Sequence, residues 1–119
     1  MSQIMNVPSD HLLLTQGRGM DEGIELLIRA FCVSSLDAVV TTPPAFGYYS
    51  VAAEIAGIQV RSISLQEEEG FTFHPERLLA AWSPSIKVIF LCTPNNPTGN
   101  CIPPRVICSL CEALEVRAS

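Results

Sequence analysis

The run Ile86-Lys87-Val88-Ile89-Phe90-Leu91 and the loop behind it, Pro94-Asn95-Asn96-Pro97-Thr98-Gly99, constrain this chain more than any other stretch. The run is β-branched and apolar almost throughout. Such a strand is stable only where both of its faces are covered, as in a parallel sheet with helices on each side. The loop cannot extend the strand. Its two prolines fix φ and lack an N–H, its asparagines tolerate turns, and Gly99 permits positive φ. Beyond it, Pro103-Pro104 opens a segment with helical spacing at Val106, Ile107, Leu110, Cys111 and Leu114. The loop therefore sits at the carboxyl end of a buried strand, where open α/β sheets place their ligands.

The same alternation runs upstream. His11–Thr15 reads as a short strand, and Gln16–Glu22 opens a helix with apolar positions at Ile24, Leu27, Ile28 and Phe31. Asp37–Thr41 is a second strand, broken by Thr42-Pro43-Pro44-Ala45-Phe46-Gly47-Tyr48. Tyr49–Ala56 is a helix that Gly57 ends, and Ile58–Leu65 an alternating strand. Glu67–Gly70 reads as a solvated loop. His74-Pro75-Glu76 starts a helix that Ser83-Pro84 stops, with His74 as a capping or surface residue. The last helix is expected from Pro104 to Val116. Strands alternating with helices at this spacing imply an α/β fold with a mainly parallel sheet and flanking helices, all in one domain.

Composition narrows the function classes. With 48% hydrophobic and 16% charged residues, the chain is too apolar for disorder. A net charge of −5 leaves no basic footprint, so no nucleic-acid partner is expected. No apolar run approaches the roughly 20 residues of a membrane span, and the first residues lack the pattern of a signal peptide. Five cysteines, an odd count, suit a reducing cytosol better than a disulfide framework.

If the first, second and fourth strands are parallel, Gly17–Asp21, Pro43–Gly47 and Pro94–Gly99 lie at one sheet edge. Gly17-Arg18-Gly19 before a helix leaves the N–H groups of Met20 and Asp21 open to an anion. Phe46 can lay its ring over a flat ligand or serve as a core aromatic at a turn. The Asn96 amide can donate to a phenolate-like oxygen.

Three segments, Gly19–Phe31, Pro43–Ser50 and Pro94–Gly99, resemble the histidinol-phosphate aminotransferase family. These are pyridoxal 5'-phosphate enzymes of the aspartate-aminotransferase fold. The resemblance implies that residues 1–119 are part of the large cofactor-binding domain. It assigns Gly19, Met20 and Asp21 to the cofactor phosphate, with N–H donors from Met20 and Asp21. It assigns Phe46, where the family commonly has Tyr, to the face of the pyridine ring, and Asn96 to the cofactor's 3-oxygen. It implies cis peptides at Asn96–Pro97 and Pro43–Pro44. It further implies an amino donor and a 2-oxo acid acceptor as substrates, a homodimer and a cytoplasmic enzyme. The family's chemistry needs a lysine that forms a Schiff base. The single lysine, Lys87, lies within a strand and not at that site, so no catalytic residue is assigned. The chain reads as an inactive fragment.

Other readings stay open. Another aminotransferase of the same class, threonine-phosphate decarboxylase and a non-catalytic interaction protein all fit these residues. Cys108-x-x-Cys111, with Cys92 and Cys101 nearby, has the residue types of a zinc or redox site. A lone Cys-x-x-Cys inside a helical run is more simply one buried helix face, and no metal is expected.

Overall fold

In a computed structural model, the structure describes residues 8–12, 20–33 and 35–118. The strands are β1 (Ala38–Thr41), β2 (Gln59–Ser62) and β3 (Ile86–Ile89). The helices are α1 (Met20–Phe31), α2 (Tyr48–Ile55), α3 (Pro75–Ala81) and α4 (Pro104–Ala118). Single 3-10 turns cover Ser9–His11 and Glu67–Glu69.

The sheet has the order β2-β1-β3, and β1 pairs in parallel with both neighbours. All four residues of β1 are buried. Alternation along this strand divides the core into two layers. Val39 joins Ile24 and Ile28 of α1, Tyr49, Ala52 and Ala53 of α2, and Phe90. Ala38 and Val40 point the other way, to Leu78 of α3, Ile86 and Leu110 of α4. Helices thus cover both faces, which is why the strand is apolar at successive positions.

The order also sets where the chain's open edge lies. The chain leaves β1 to one side for β2, then returns past it to β3. Loops after β1 and β3 therefore diverge from adjacent strands, the arrangement that opens a crevice at the carboxyl ends. A turn places α1 against the same crevice. The Asp37 carboxylate accepts the Val33 N–H at 2.7 Å, and the Asp37 N–H donates to the Val33 carbonyl at 3.0 Å. This closes a short connection from the end of α1 to the start of β1. The helix thus runs back along the sheet, with its amino end toward the carboxyl ends of the strands.

Several expectations shift. His11 lies in a 3-10 turn that Leu12 caps, because Pro8 and Ser9 supply carbonyls to the N–H groups of His11 and Leu12; residues 13–15 of that expected strand lie outside the described residues. Strand β2 is shorter than Ile58–Leu65. Beyond Ser62, two backbone bonds among the described residues continue toward the β1 side, Ile63 N–H to Thr41 and Leu65 N–H to Pro43. Pro43 and Pro44 themselves have no N–H to offer in return. Gly57 ends α2 at φ 75°, as its position suggested. His74 stands at the N-cap of α3 without a side-chain cap; its ring faces Glu69 and Glu76 instead. The acidic turn is solvated, but Glu69 takes a bidentate pair from Arg77 at 2.7 Å. That hydrogen bonding holds the Glu69 carboxyl below its ordinary range.

Cys108 and Cys111 overturn the reading of a buried cysteine face. Both are exposed, and the burial on α4 falls on Leu110, with Leu114 packed beside it. The helix is rotated so that its leucines meet α3 and the sheet. Among the described residues no group of three or more His, Cys, Asp or Glu could hold a metal ion.

Candidate functional site

Three pieces of chain meet through side-chain bonds at the carboxyl edge. The Tyr48 hydroxyl donates to the Glu25 carboxylate, tying the first half of α1 to the residues after Phe46. Across the crevice, the Asn95 side-chain amide donates to the Pro44 carbonyl at 2.7 Å. The loop after β1 is thus held to α1 on one side and to the loop after β3 on the other.

The Pro94–Gly99 loop is closed on itself. Asn95 N–H donates to the Asn100 carbonyl and Gly99 N–H to the Asn95 carbonyl, each at 2.7 Å. Gly99 adopts φ 80°, a conformation that side-chain-bearing residues rarely take. Peptides Pro43–Pro44 and Asn96–Pro97 are cis, as the resemblance implied, and so is Thr93–Pro94, which was not foreseen.

The two asparagines divide the work. Asn95 is buried, 6% exposed, and its amide is consumed internally. Asn96 is exposed, and its amide makes no hydrogen bond among the described residues. A buried polar group is normally paired, whereas an exposed one can be satisfied by water. Of the two asparagines, only Asn96 keeps an unspent amide among the described residues.

Phe46 is half-buried and leans on Tyr49, ring centroids 5.6 Å apart and edge to face at 83°. Tyr49 in turn stacks on Phe90 at 4.6 Å and 11°. The Phe46 ring is therefore supported from behind by a core stack that reaches the end of β3. Burial, with a hydrogen bond to Cys92 and the charge that thiol can carry, pushes the Tyr49 hydroxyl up to about 12. It remains a neutral phenol at physiological pH.

Met20 and Asp21 form the first turn of α1, with Met20 68% exposed. The first four N–H groups of a helix have no partner within it. Asp21 and Glu22 add carboxylates beside that end, which weakens the attraction for an anion compared with a bare helix terminus. No hydrogen bond joins this turn to either loop among the described residues. Gly19 lies outside the described residues.

Lys87 is on the exposed edge of the sheet, near the start of β3 and away from the Pro94–Gly99 loop. It lines an open groove of about 480 Å³ that includes Trp82, Ile89, Leu114 and Arg117. That groove is not the crevice. Behind the Asn-Pro loop lies a smaller cleft of about 70 Å³, reached by Thr42, Leu65, Phe73 and Asn100.

Reading the sequence missed Asn95 and Tyr49. Asn95 was visible only as one of two adjacent asparagines, and nothing in their order says which is buried. Tyr49 was visible as the start of a helix. A period-3.6 pattern places Tyr49, Ala52 and Ala53 on one face, a signal that it faces the core.

The comparisons agree with this geometry. The family "Aminotransferase class I and II" matches residues 4–117. A histidinol-phosphate aminotransferase of Francisella philomiragia is 41% identical over 103 residues, 87% of this chain and 28% of the relative. The enzyme of that name from Cronobacter sakazakii is 42% identical over 117 residues, 98% of this chain and 31% of the relative. Among solved structures, the aspartate aminotransferase of Thermus thermophilus with maleate superposes with a TM-score of 0.74 at 32% identity. That superposition covers 82% of this chain and 25% of the enzyme. The chain thus spans about 28% of the relatives it matches. The parallel sheet, the crevice at its carboxyl edge and the match across residues 4–117 make this chain a member of the class I and II aminotransferases.

Proposed function

We propose that this chain is the portion of a histidinol-phosphate aminotransferase that forms one wall of its pyridoxal 5'-phosphate site. The observation that carries the reading is the division between Asn95 and Asn96. One amide is buried and spent on holding two loops together, while the next is exposed and makes no hydrogen bond among the described residues. The residues fit the cofactor. Asn96 would donate to its 3-oxygen, Phe46 would lie against its ring, and the Met20 and Asp21 N–H groups, with Gly19 before them, would receive its phosphate. When bound, pyridoxal phosphate supplies an electron sink for carbanion chemistry at an amino acid. The protein's part at this wall is to orient the ring, fix the 3-oxygen and hold the phosphate.

The substrate pair proposed for the complete enzyme is histidinol phosphate as amino donor and 2-oxoglutarate as 2-oxo acid acceptor, in histidine biosynthesis. The names of the relatives support histidinol phosphate as the donor. The proposed assembly is a homodimer, and the proposed compartment the cytosol, which the five free thiols suit. By itself the chain is proposed to be inactive, because Lys87 lies away from the crevice.

Titration of the chain with pyridoxal phosphate, followed by borohydride reduction and peptide mapping, tests this reading. Expected are binding that Phe46→Ala and Asn96→Ala weaken, no reducible adduct in the crevice and no transamination. Binding indifferent to both substitutions, or turnover with an adduct on Lys87, would overturn it.

A further inference from the structure

We infer that Asn95 is a positioning residue of this site. It locks the Pro43–Gly47 and Pro94–Gly99 loops into one unit, so that Phe46 and Asn96 present themselves to a common ligand. The ligand half of this inference rests on the cofactor reading above; the locking half does not.

The need for such a residue follows from the loops. Four prolines, Pro43, Pro44, Pro94 and Pro97, remove N–H donors where a backbone ladder would otherwise join the segments after β1 and β3. The last ladder bond between them is Phe90 N–H to the Val40 carbonyl at 2.9 Å. Beyond that point a side chain supplies the link. Asn95 Nδ2 donates to the Pro44 carbonyl at 2.7 Å across 51 residues of sequence, and to Thr98 Oγ1 at 2.8 Å within its own loop. Phe46 lies two residues beyond Pro44, and Asn96 is the next residue after Asn95.

The residue type fits this task closely. Two donors on one short, planar side chain are required, and Asn provides them. Asp has no donor when ionised, Ser and Thr have one, and Gln is longer by a methylene. Among the described residues the acceptor half of the amide is idle: Oδ1 is buried with no partner. Reversing the amide would set that oxygen against the Pro44 carbonyl, so the orientation is held by the donors alone. Buried unpaired polar atoms are uncommon and are kept where a constraint outweighs their cost. Here the constraint is the crossing between the loops.

The test uses the chain, its Asn95→Ala, Asn95→Asp and Thr98→Val variants, and pyridoxine 5'-phosphate. That ligand has the phosphate, ring and 3-hydroxyl of the cofactor but no aldehyde to react with an amine. Two readouts are taken: ligand affinity, and nuclear magnetic resonance of the Phe46 ring and the Asn96 side-chain amide without ligand. Asn95→Ala is expected to broaden or shift the Phe46 and Asn96 signals, to leave the Ile24 and Ile28 methyls in place, and to weaken binding about tenfold. Asn95→Asp should behave alike at neutral pH and recover part of both readouts on acidification, when a protonated carboxyl donates again. Thr98→Val, which loses one of the two bonds, should fall between. A bond with no positioning role would show none of this recovery.

Unchanged Phe46 and Asn96 signals in Asn95→Ala would overturn the locking role. Wild-type binding that Asn95→Ala leaves equal would overturn its role toward the ligand and leave the cofactor reading standing. If wild type does not bind while the signals respond as expected, the cofactor reading fails and the locking role stands. Should Asn95→Ala lose the Ile24 and Ile28 methyl pattern, Thr98→Val and the acid response of Asn95→Asp decide: unchanged signals in both overturn the inference.

Discussion

Replacing Tyr49 separates what its ring does from what its hydroxyl does. The ring is 9% exposed and has aromatic neighbours on two sides, Phe90 stacked at 4.6 Å and Phe46 edge-on at 5.6 Å. Truncating a buried aromatic to Ala costs about 3–5 kcal/mol. Each favourable ring pair contributes about 0.5–1.5 kcal/mol beyond area burial. Tyr49→Ala removes both pairs and so belongs at the upper end of that truncation range. Tyr49→Phe keeps the stack and loses only the contact with Cys92, a hydrogen bond to sulfur whose net loss should stay below about 1 kcal/mol. The two variants should therefore differ by roughly 3 kcal/mol or more in urea unfolding, followed by Trp82 fluorescence and far-UV circular dichroism. Tyr49→Ala should also free the Phe46 ring, seen as faster ring averaging by nuclear magnetic resonance. If the two variants unfold within ~1 kcal/mol of each other, the ring stack does not support the crevice and the reasoning fails.

The other predictions concern pH, packing and association. Burial pushes the Tyr49 phenol up to about 12, against an ordinary value near 10, so well below pH 10 both states are protonated and its contribution is constant. Between these values the unfolded chain gives up the proton first, and stability falls as pH rises, by at most about 1.4 kcal/mol per pH unit. Tyr49→Phe should lack this component in paired unfolding curves; equal alkaline slopes would contradict it. Leu78→Ala, at a site with 0% exposure between β1 and α3, should destabilise by about 2–5 kcal/mol in the same assay. A cost below ~1 kcal/mol would mean that this layer collapses freely around the cavity. Finally, Phe31, Val33, Leu36 and Ile55 are 58–78% exposed, and β3 pairs on one side alone among the described residues. Sedimentation over a concentration series should show association; a concentration-independent monomer would count against it.

The parallel α/β layering was legible in residues alone, because β1 is apolar at consecutive positions and two-sided burial stabilises such a strand; that β3 is an edge strand among the described residues, with Lys87 exposed, was decided by the tertiary structure. The loops at Pro43–Gly47 and Pro94–Gly99 were legible for the same kind of local reason: proline and glycine dictate backbone geometry wherever they stand. Tertiary structure decided what local chemistry leaves degenerate. Cys108 and Cys111 satisfy a helical period, yet the rotation of α4 is set by where Leu110 and Leu114 find α3 and the sheet, and both thiols turn outward. Asn95 and Asn96 are the same residue type in adjacent positions. Their difference arises only because the Pro44 carbonyl, 51 residues earlier, needs a donor that its proline-rich loop lacks. A hydrogen bond across that separation exists only once the sheet has brought β1 and β3 side by side, and that pairing assigns one asparagine to hold the edge and leaves the other exposed.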